Sequence, residues 1–116
     1  MIKDCYFYND TSANHGGGVH WYPGTNGQID NCTFESCHVD AQKNGGAIYA
    51  KTVKQNATCN SVKMHNNTAS ENGGGIYAET EISLVGTEVS LSKAVNGAGI
   101  FIDKSDDNAK PGVFRM

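Results

Sequence analysis

The sequence predicts an all-β chain wound as a parallel β-helix of about four turns, with a period of about 28 residues. Three observations carry this. A glycine-led stretch occurs four times, as His15-Gly16-Gly17-Gly18-Val19-His20-Trp21, Asn44-Gly45-Gly46-Ala47-Ile48-Tyr49-Ala50, Asn72-Gly73-Gly74-Gly75-Ile76-Tyr77-Ala78 and Asn96-Gly97-Ala98-Gly99-Ile100-Phe101-Ile102. Its first glycines lie at 16, 45, 73 and 97, in steps of 29, 28 and 24 residues. Upstream, a second ladder spaced three then two runs through Ile2, Cys5 and Phe7; Ile29, Cys32 and Phe34; Cys59, Val62 and Met64; and Gly86, Val89 and Leu91. Finally, no hairpin signature joins one copy to the next, so each unit can bury its apolar face only by resting on its neighbours.

Taken in order, each repeat holds two apolar clusters. In the first, Cys32-Thr33-Phe34, Val62-Lys63-Met64 and Val89-Ser90-Leu91 alternate as half-buried strands do. In the second, Gly46, Ile48 and Ala50 face one side while Ala47 and Tyr49 face the other. The inward ladders are then Val19, Ile48, Ile76 and Ile100 on one wall, and Phe7, Phe34, Met64 and Leu91 on another. The polar pieces Ser36 to Asn44 and Lys51 to Thr58 read as loops. Glycine after Asn supplies the left-handed conformation of a sharp corner, and the small residues at 46, 74 and 98 let backbones approach closely. The chain is one segment with turns at about 2–28, 29–58, 59–85 and 86–116. A propeller is disfavoured because four strands per repeat would not fit between these loops, and a leucine-rich repeat because no leucine consensus is present.

Composition supports a turn-rich β chain. Hydrophobic residues are 38% and glycines number 14, too polar and glycine-rich for a helical core. A net charge of −3 with scattered Lys and Arg leaves no basic patch for nucleic acid, and no apolar run is long enough to insert in a membrane as a helix. Asn9, Asn31, Asn56 and Asn66 each head an N-x-Thr sequon, against about 1.7 expected by chance. Together with four cysteines they point to an oxidising, extracellular setting, although turn-loving Asn and Thr also account for them. Residues 1–15 carry no apolar signal core, as expected of a mature or interior segment.

Gly45-Gly46-Ala47-Ile48 and its variants resemble the Gly-Gly-Ala-Ile half of the repeat in chlamydial polymorphic outer-membrane proteins, whose other half is Phe-x-x-Asn. Similar repeats occur in adhesin-like archaeal surface proteins and in large extracellular proteins of protists and algae. In the second half this chain departs from the pattern: Phe7 is followed by Asp10, Phe34 by Cys37, Met64 by Asn67 and Leu91 by Ala94, each three residues on. The resemblance implies a right-handed parallel β-helix at a cell surface.

Several residues are candidates for chemistry. His20, Tyr49, Tyr77 and Phe101 follow the repeated Ile or Val, and strand alternation turns them outward as a ring ladder at about 4.8 Å spacing. That ladder is either a platform for sugars or another chain, or a set of cross-strand pairs that stabilise the stack. Cys5 and Cys32 hold equivalent positions about 5 Å apart, so they either form a disulfide or fill an inward ladder as thiols. Cys37 and Cys59 lie off this ladder. A zinc site from Cys32, Cys37, His38 and His65 lacks paired ligand spacing. Asp103, Asp106, Asp107 and Asn108 offer oxygens for calcium but read as a solvated loop. His15-Gly16-Gly17-Gly18 imitates an oxyanion loop without a nucleophile motif, and Gly97-Ala98-Gly99 imitates a dinucleotide loop without its third glycine. The carboxylates of Asp30, Glu35 and Asp40, or of Glu79, Glu81 and Glu88, do not recur in register, and no spacing among them assures the defined separation of two carboxyls that a polysaccharide-cleaving site needs.

The expected function is therefore a non-catalytic extracellular stalk, fibre or adhesin segment with no cofactor and no metal. Its partners would be copies of itself or the rest of a longer β-helix at the open end turns, forming a filament, and surface glycans. The alternative readings are a carbohydrate-binding module on the aromatic ladder and, behind it, a polysaccharide lyase or hydrolase.

Overall fold

A computed structural model describes residues 1–21, 27–40, 42–50, 57–79, 82–102 and 114–115. The chain winds as a parallel β-solenoid with four walls. Wall A stacks β1 (Ile2–Lys3), β5 (Gly27–Asp30), β9 (Ala57–Asn60), β13 (Ile82–Val85) and β16 (Phe114–Arg115). Wall B stacks β2 (Tyr6–Tyr8), β6 (Thr33–Glu35), β10 (Lys63–His65) and β14 (Glu88–Ser90). Wall C holds β3 (Thr11–Ser12), β7 (His38–Val39) and β11 (Thr68–Ala69), and wall D holds β4 (Val19–Trp21), β8 (Ile48–Ala50), β12 (Ile76–Ala78) and β15 (Ile100–Ile102). Every pairing is parallel and joins equivalent residues of adjacent turns: Val19, Ile48, Ile76 and Ile100 stand in one register row, and His20, Tyr49, Tyr77 and Phe101 in the next.

Four strands per turn fit where two clusters were expected, because wall C needs only two residues per strand and wall A reuses the start of the first cluster. The pieces read as loops accordingly contain β7 and the start of β9. The fourth turn also corrects the expected register. Cys59 pairs with Leu84 and Met64 with Val89, so the inward trio is Leu84, Thr87 and Val89, two residues earlier than expected. Leu91 is outside the core and 68% exposed.

The corners explain this slip. Asp4, Asn31, Ser61 and Gly86 share a left-handed backbone at φ 49 to 56°, and Asn9, Ser36, Asn66 and Leu91 share one at φ 51 to 57°. Asn, Asp and Gly adopt this conformation at low cost, so Gly86 belongs at a corner and not in the core. Leu91 takes the same corner because its position in the turn requires it. A third corner row, Gly16, Gly45, Gly73 and Gly97, lies at φ 75, 74, 68 and 56° and opens wall D.

The core lies between the walls. Ile29, Phe34, Ile48, Met64, Ile76, Ile82 and Leu84 are fully buried, and Phe7 stacks on Phe34 with ring centroids 4.5 Å apart and planes within 2°. Like rests on like, which is how a parallel stack fills its interior without helices.

Candidate functional site

The outward row of wall D carries the rings. Tyr49 and Tyr77 stack at 5.1 Å with planes 2° apart, Tyr77 and Phe101 at 5.5 Å and 8°, and His20 meets Tyr49 edge-on at 4.8 Å. His15 lies flat on Tyr49 at 4.2 Å, and its Nδ1 accepts a hydrogen bond from the Asn44 amide at 3.0 Å. Of the two arrangements open to this row, a platform or a set of cross-strand pairs, the middle rings have the geometry of the second. Tyr49 and Tyr77 are only 5% and 4% exposed. The reason is geometric: in-register parallel strands set rings face to face at the strand spacing, so each face is covered by the next ring. A sugar packs its C–H face on an open ring face, which the middle of this row lacks. The Tyr77 hydroxyl donates to Glu79 Oε1 at 3.1 Å.

Open rings stand on wall B instead. Strand β2 points Phe7 inward and leaves Tyr6 and Tyr8 62% and 61% exposed, at right angles with centroids 5.9 Å apart. The Tyr6 hydroxyl donates to the Glu35 carboxylate on the next strand, and that bond and negative charge hold its phenol above the ordinary value. His65 and Ser90 continue the Glu35 row, joined by a 3.0 Å hydrogen bond. The alternation Tyr-Phe-Tyr in β2 is the sequence signal for this pair.

A polar spine runs beside the glycine corner. Asn72 Nδ2 donates to Asn44 Oδ1 at 3.0 Å, and Asn96 Nδ2 to Asn72 Oδ1 at 2.9 Å. Asn67 is a second polar anchor, fully buried. Its Oδ1 accepts from the Cys37 amide at 2.8 Å and its Nδ2 donates to the Phe34 carbonyl at 3.0 Å, tying the third turn to the second. Cys37 occupies the same place one turn earlier, with Sγ 3.7 Å from the Phe7 carbonyl oxygen.

All four cysteines are free thiols. Cys32 fills the inward ladder, while Cys5, its equivalent in the first turn, is exposed and donates its amide to Cys32 Sγ at 3.4 Å. The pair was expected either as a disulfide or as two thiols of an inward ladder; here only Cys32 takes the inward place. Burial raises the Cys32 thiol and pushes Cys37 up to about 11 and Cys59 to about 12, from an ordinary 9.0. Between pH 9 and these values the unfolded chain loses protons that the folded chain keeps. Unfolding free energy is thus expected to be flat with respect to these thiols below pH 9 and to fall above it, by up to about 1.4 kcal/mol per pH unit for Cys59 and by less for Cys37, where solvent screens part of the effect. Urea unfolding at a series of alkaline pH values, compared with a Cys37→Ala/Cys59→Ala variant in which the slope is shallower, checks this.

The remaining candidates disperse. Asp30 lies on wall A, Glu35 on wall B and Asp40 beyond the end of β7 on wall C, bonded to Gln28, Tyr6 and His38 respectively. Glu79 follows wall D and Glu88 lies on wall B, while Glu81 falls outside the described residues. Among the described residues no cluster of three His, Cys, Asp or Glu could hold a metal ion, the quartet Cys32, Cys37, His38 and His65 included. Asp103, Asp106, Asp107 and Asn108 lie outside the described residues, as does Asn56. Asn9, Asn31 and Asn66 are exposed at left-handed corners, a conformation asparagine favours on its own account.

Residues 61–79 match the model of the Chlamydia polymorphic membrane protein repeat. They run from the Ser61 corner through β10, Asn67 and β11 to the glycine corner and β12, the part of the chain where buried Asn67 and Gly73-Gly74-Gly75-Ile76 occur together. No curated protein and no solved structure matches the chain. In its third turn the chain is therefore similar to the Chlamydia polymorphic membrane protein repeat, and the other turns repeat the same backbone register around it.

Proposed function

We propose that the chain is a non-catalytic segment of a surface-exposed β-solenoid, acting as a stalk or adhesin body in an extracellular setting. The observation that carries this reading is the use of its polar and reactive groups as structure. Asn67 and the Asn44-Asn72-Asn96 spine bond turn to turn, the buried thiols are held protonated, and the carboxylates are spread over separate walls. The match to a membrane-protein repeat supports the surface location. Two measurements test it. Protease added to intact cells that produce the protein should cleave it, and purified chain incubated with a panel of polysaccharides should release no reducing ends; new reducing ends would replace this reading with a hydrolase or lyase.

A second reading, carbohydrate binding, is favoured by one observation, the two open rings of Tyr6 and Tyr8 beside Glu35. On that reading Tyr6→Ala/Tyr8→Ala abolishes binding on a glycan array without loss of stability. Tyr49→Ala/Tyr77→Ala, in contrast, lowers the melting temperature, because each stacked aromatic pair is worth about 0.5–1.5 kcal/mol beyond its area.

A further inference from the structure

Asn-Gly occurs four times in the chain, at Asn26, Asn44, Asn72 and Asn96. Asparagine is a labile side chain, and this dipeptide is the context in which it is lost most readily. Glycine has no side chain to shield its backbone nitrogen, and its permissive backbone lets that nitrogen reach the asparagine Cγ. The N–Cγ bond forms as the amide proton passes to solvent base, and the Cγ–Nδ2 bond breaks with release of ammonia. Water then opens the cyclic imide at one carbonyl or the other, leaving aspartate or isoaspartate. Only water is consumed, so the reaction requires no enzyme and no cofactor.

Asn44-Gly45 and Asn72-Gly73 each lie beneath a described turn, and that turn engages both reacting groups. The Gly45 amide donates to the Asn72 carbonyl at 2.9 Å, the Gly73 amide donates to the Asn96 carbonyl at 3.0 Å, and both glycines are buried. Asn44 Oδ1 accepts from the backbone amide and from Nδ2 of Asn72, each at 3.0 Å, and Asn72 Oδ1 accepts from Asn96 Nδ2 at 2.9 Å. The attacking nitrogen therefore points its hydrogen at the next turn, and the carbon it would attack is tied by its oxygen to that same turn. A buried amide that donates in this way cannot lose its proton or swing toward Cγ without breaking its bond. All the partners of Asn44-Gly45 named here sit on Asn72, and those of Asn72-Gly73 on Asn96, so each corner is held by one turn only.

We propose that Asn44 and Asn72 are self-modification sites gated by the coil: each is silent while the following turn is seated and deamidates when that turn lifts. Modification is then a permanent record of unwinding, because the product does not restack. Isoaspartate inserts a methylene into the backbone just before the corner glycine, so the glycine amide cannot return to its carbonyl while the strand beyond it keeps register. Aspartate at position 72 replaces the donor Nδ2 by an oxygen that faces Asn44 Oδ1. The opening of one turn sets the rate at one site, so the two asparagines report local stabilities and not a single global one.

The full chain is incubated in mildly alkaline buffer with and without urea, and the peptides that carry each site are quantified by mass spectrometry, isoaspartate being separated by chromatography. Deamidation at Asn44 and Asn72 is expected to be at least about tenfold slower in the folded chain than in the unfolded one. Gly74→Ala, whose added methyl pushes the fourth turn off the third, is expected to raise the Asn72 rate several-fold in native buffer and to leave the Asn44 rate unchanged, because the partners of Asn44 lie in the third turn. Circular dichroism is followed in parallel. If that variant unfolds, Asn96→Ala, which removes the donor to Asn72 Oδ1, takes its place with the same expectation. Equal rates in folded and unfolded wild type, or a folded variant in which the two sites respond alike, would each overturn the proposal.

Discussion

Gly74→Ala is expected to lower stability by about 3 kcal/mol or more, read as a shift in the urea midpoint or the melting temperature. The added methyl would sit 2.7 Å from the Lys93 amide nitrogen and closer to the Ala98 carbonyl, and both are backbone atoms of the adjacent turn. A side chain in the way could rotate aside, but these atoms are fixed by the ladder: Ala69 donates to the Lys93 carbonyl at 2.9 Å and Lys93 to the Asn67 carbonyl at 2.9 Å. Relief therefore requires the fourth turn to lift off the third. Gly99→Ala is the matched control. A β-carbon there meets only Val89 Cγ1 at 3.6 Å, an ordinary contact, so its stability should change by less than about 1 kcal/mol. Equal losses in the two variants would show that glycine content, and not turn-to-turn approach, sets the effect.

Asn67→Leu is expected to cost about 1–3 kcal/mol, although it keeps a branched side chain at a buried site. The amide serves two backbone groups of the preceding turn, the Cys37 N–H and the Phe34 carbonyl. Leucine leaves the Cys37 N–H without its acceptor and removes one donor from the Phe34 carbonyl, which stays in the wall B ladder, and a buried polar group without a partner costs about 1–3 kcal/mol. Asn67→Ala should lose as much or more, because a cavity is added. If Asn67→Leu unfolds at the same urea concentration as wild type, the bonds at this corner contribute nothing net and packing alone holds it.

The parts of this fold that could be read from the sequence are those in which backbone sterics leave one choice of residue. Wall D was legible because its corner needs glycine and its inward position an aliphatic residue, and the observed pairs follow the predicted row from Val19 to Ile100. The fourth turn of wall B misled because Val89 and Leu91 share the same alternation parity, so period alone cannot tell which is inward. Leu91 at a left-handed corner is a conformation that few would assign to leucine from sequence. Wall C was invisible because two residues make no period. The order of the aromatic row was legible, but whether it is a platform or a set of stacked pairs was not, since the cover on Tyr49 comes from its neighbours in space, His15 included, and not from its own strand. Asn67 stood in the sequence as one residue of a degraded motif, and only the packed structure supplies its two partners.

The one-turn register has a kinetic consequence. From Ile76 beside Ile100 to Ile82 beside Phe114, strand partners lie 24 to 32 residues apart along the chain. Ordering a loop of that length costs about 3 kcal/mol plus a constant before the first ladder bond is gained, so a single turn has nothing to rest on. Any two adjacent turns that pair can serve as the nucleus, and each later turn adds to an edge already in place. Folding is accordingly slow to begin and quick to extend, because each added turn closes its loop against strands that are already ordered.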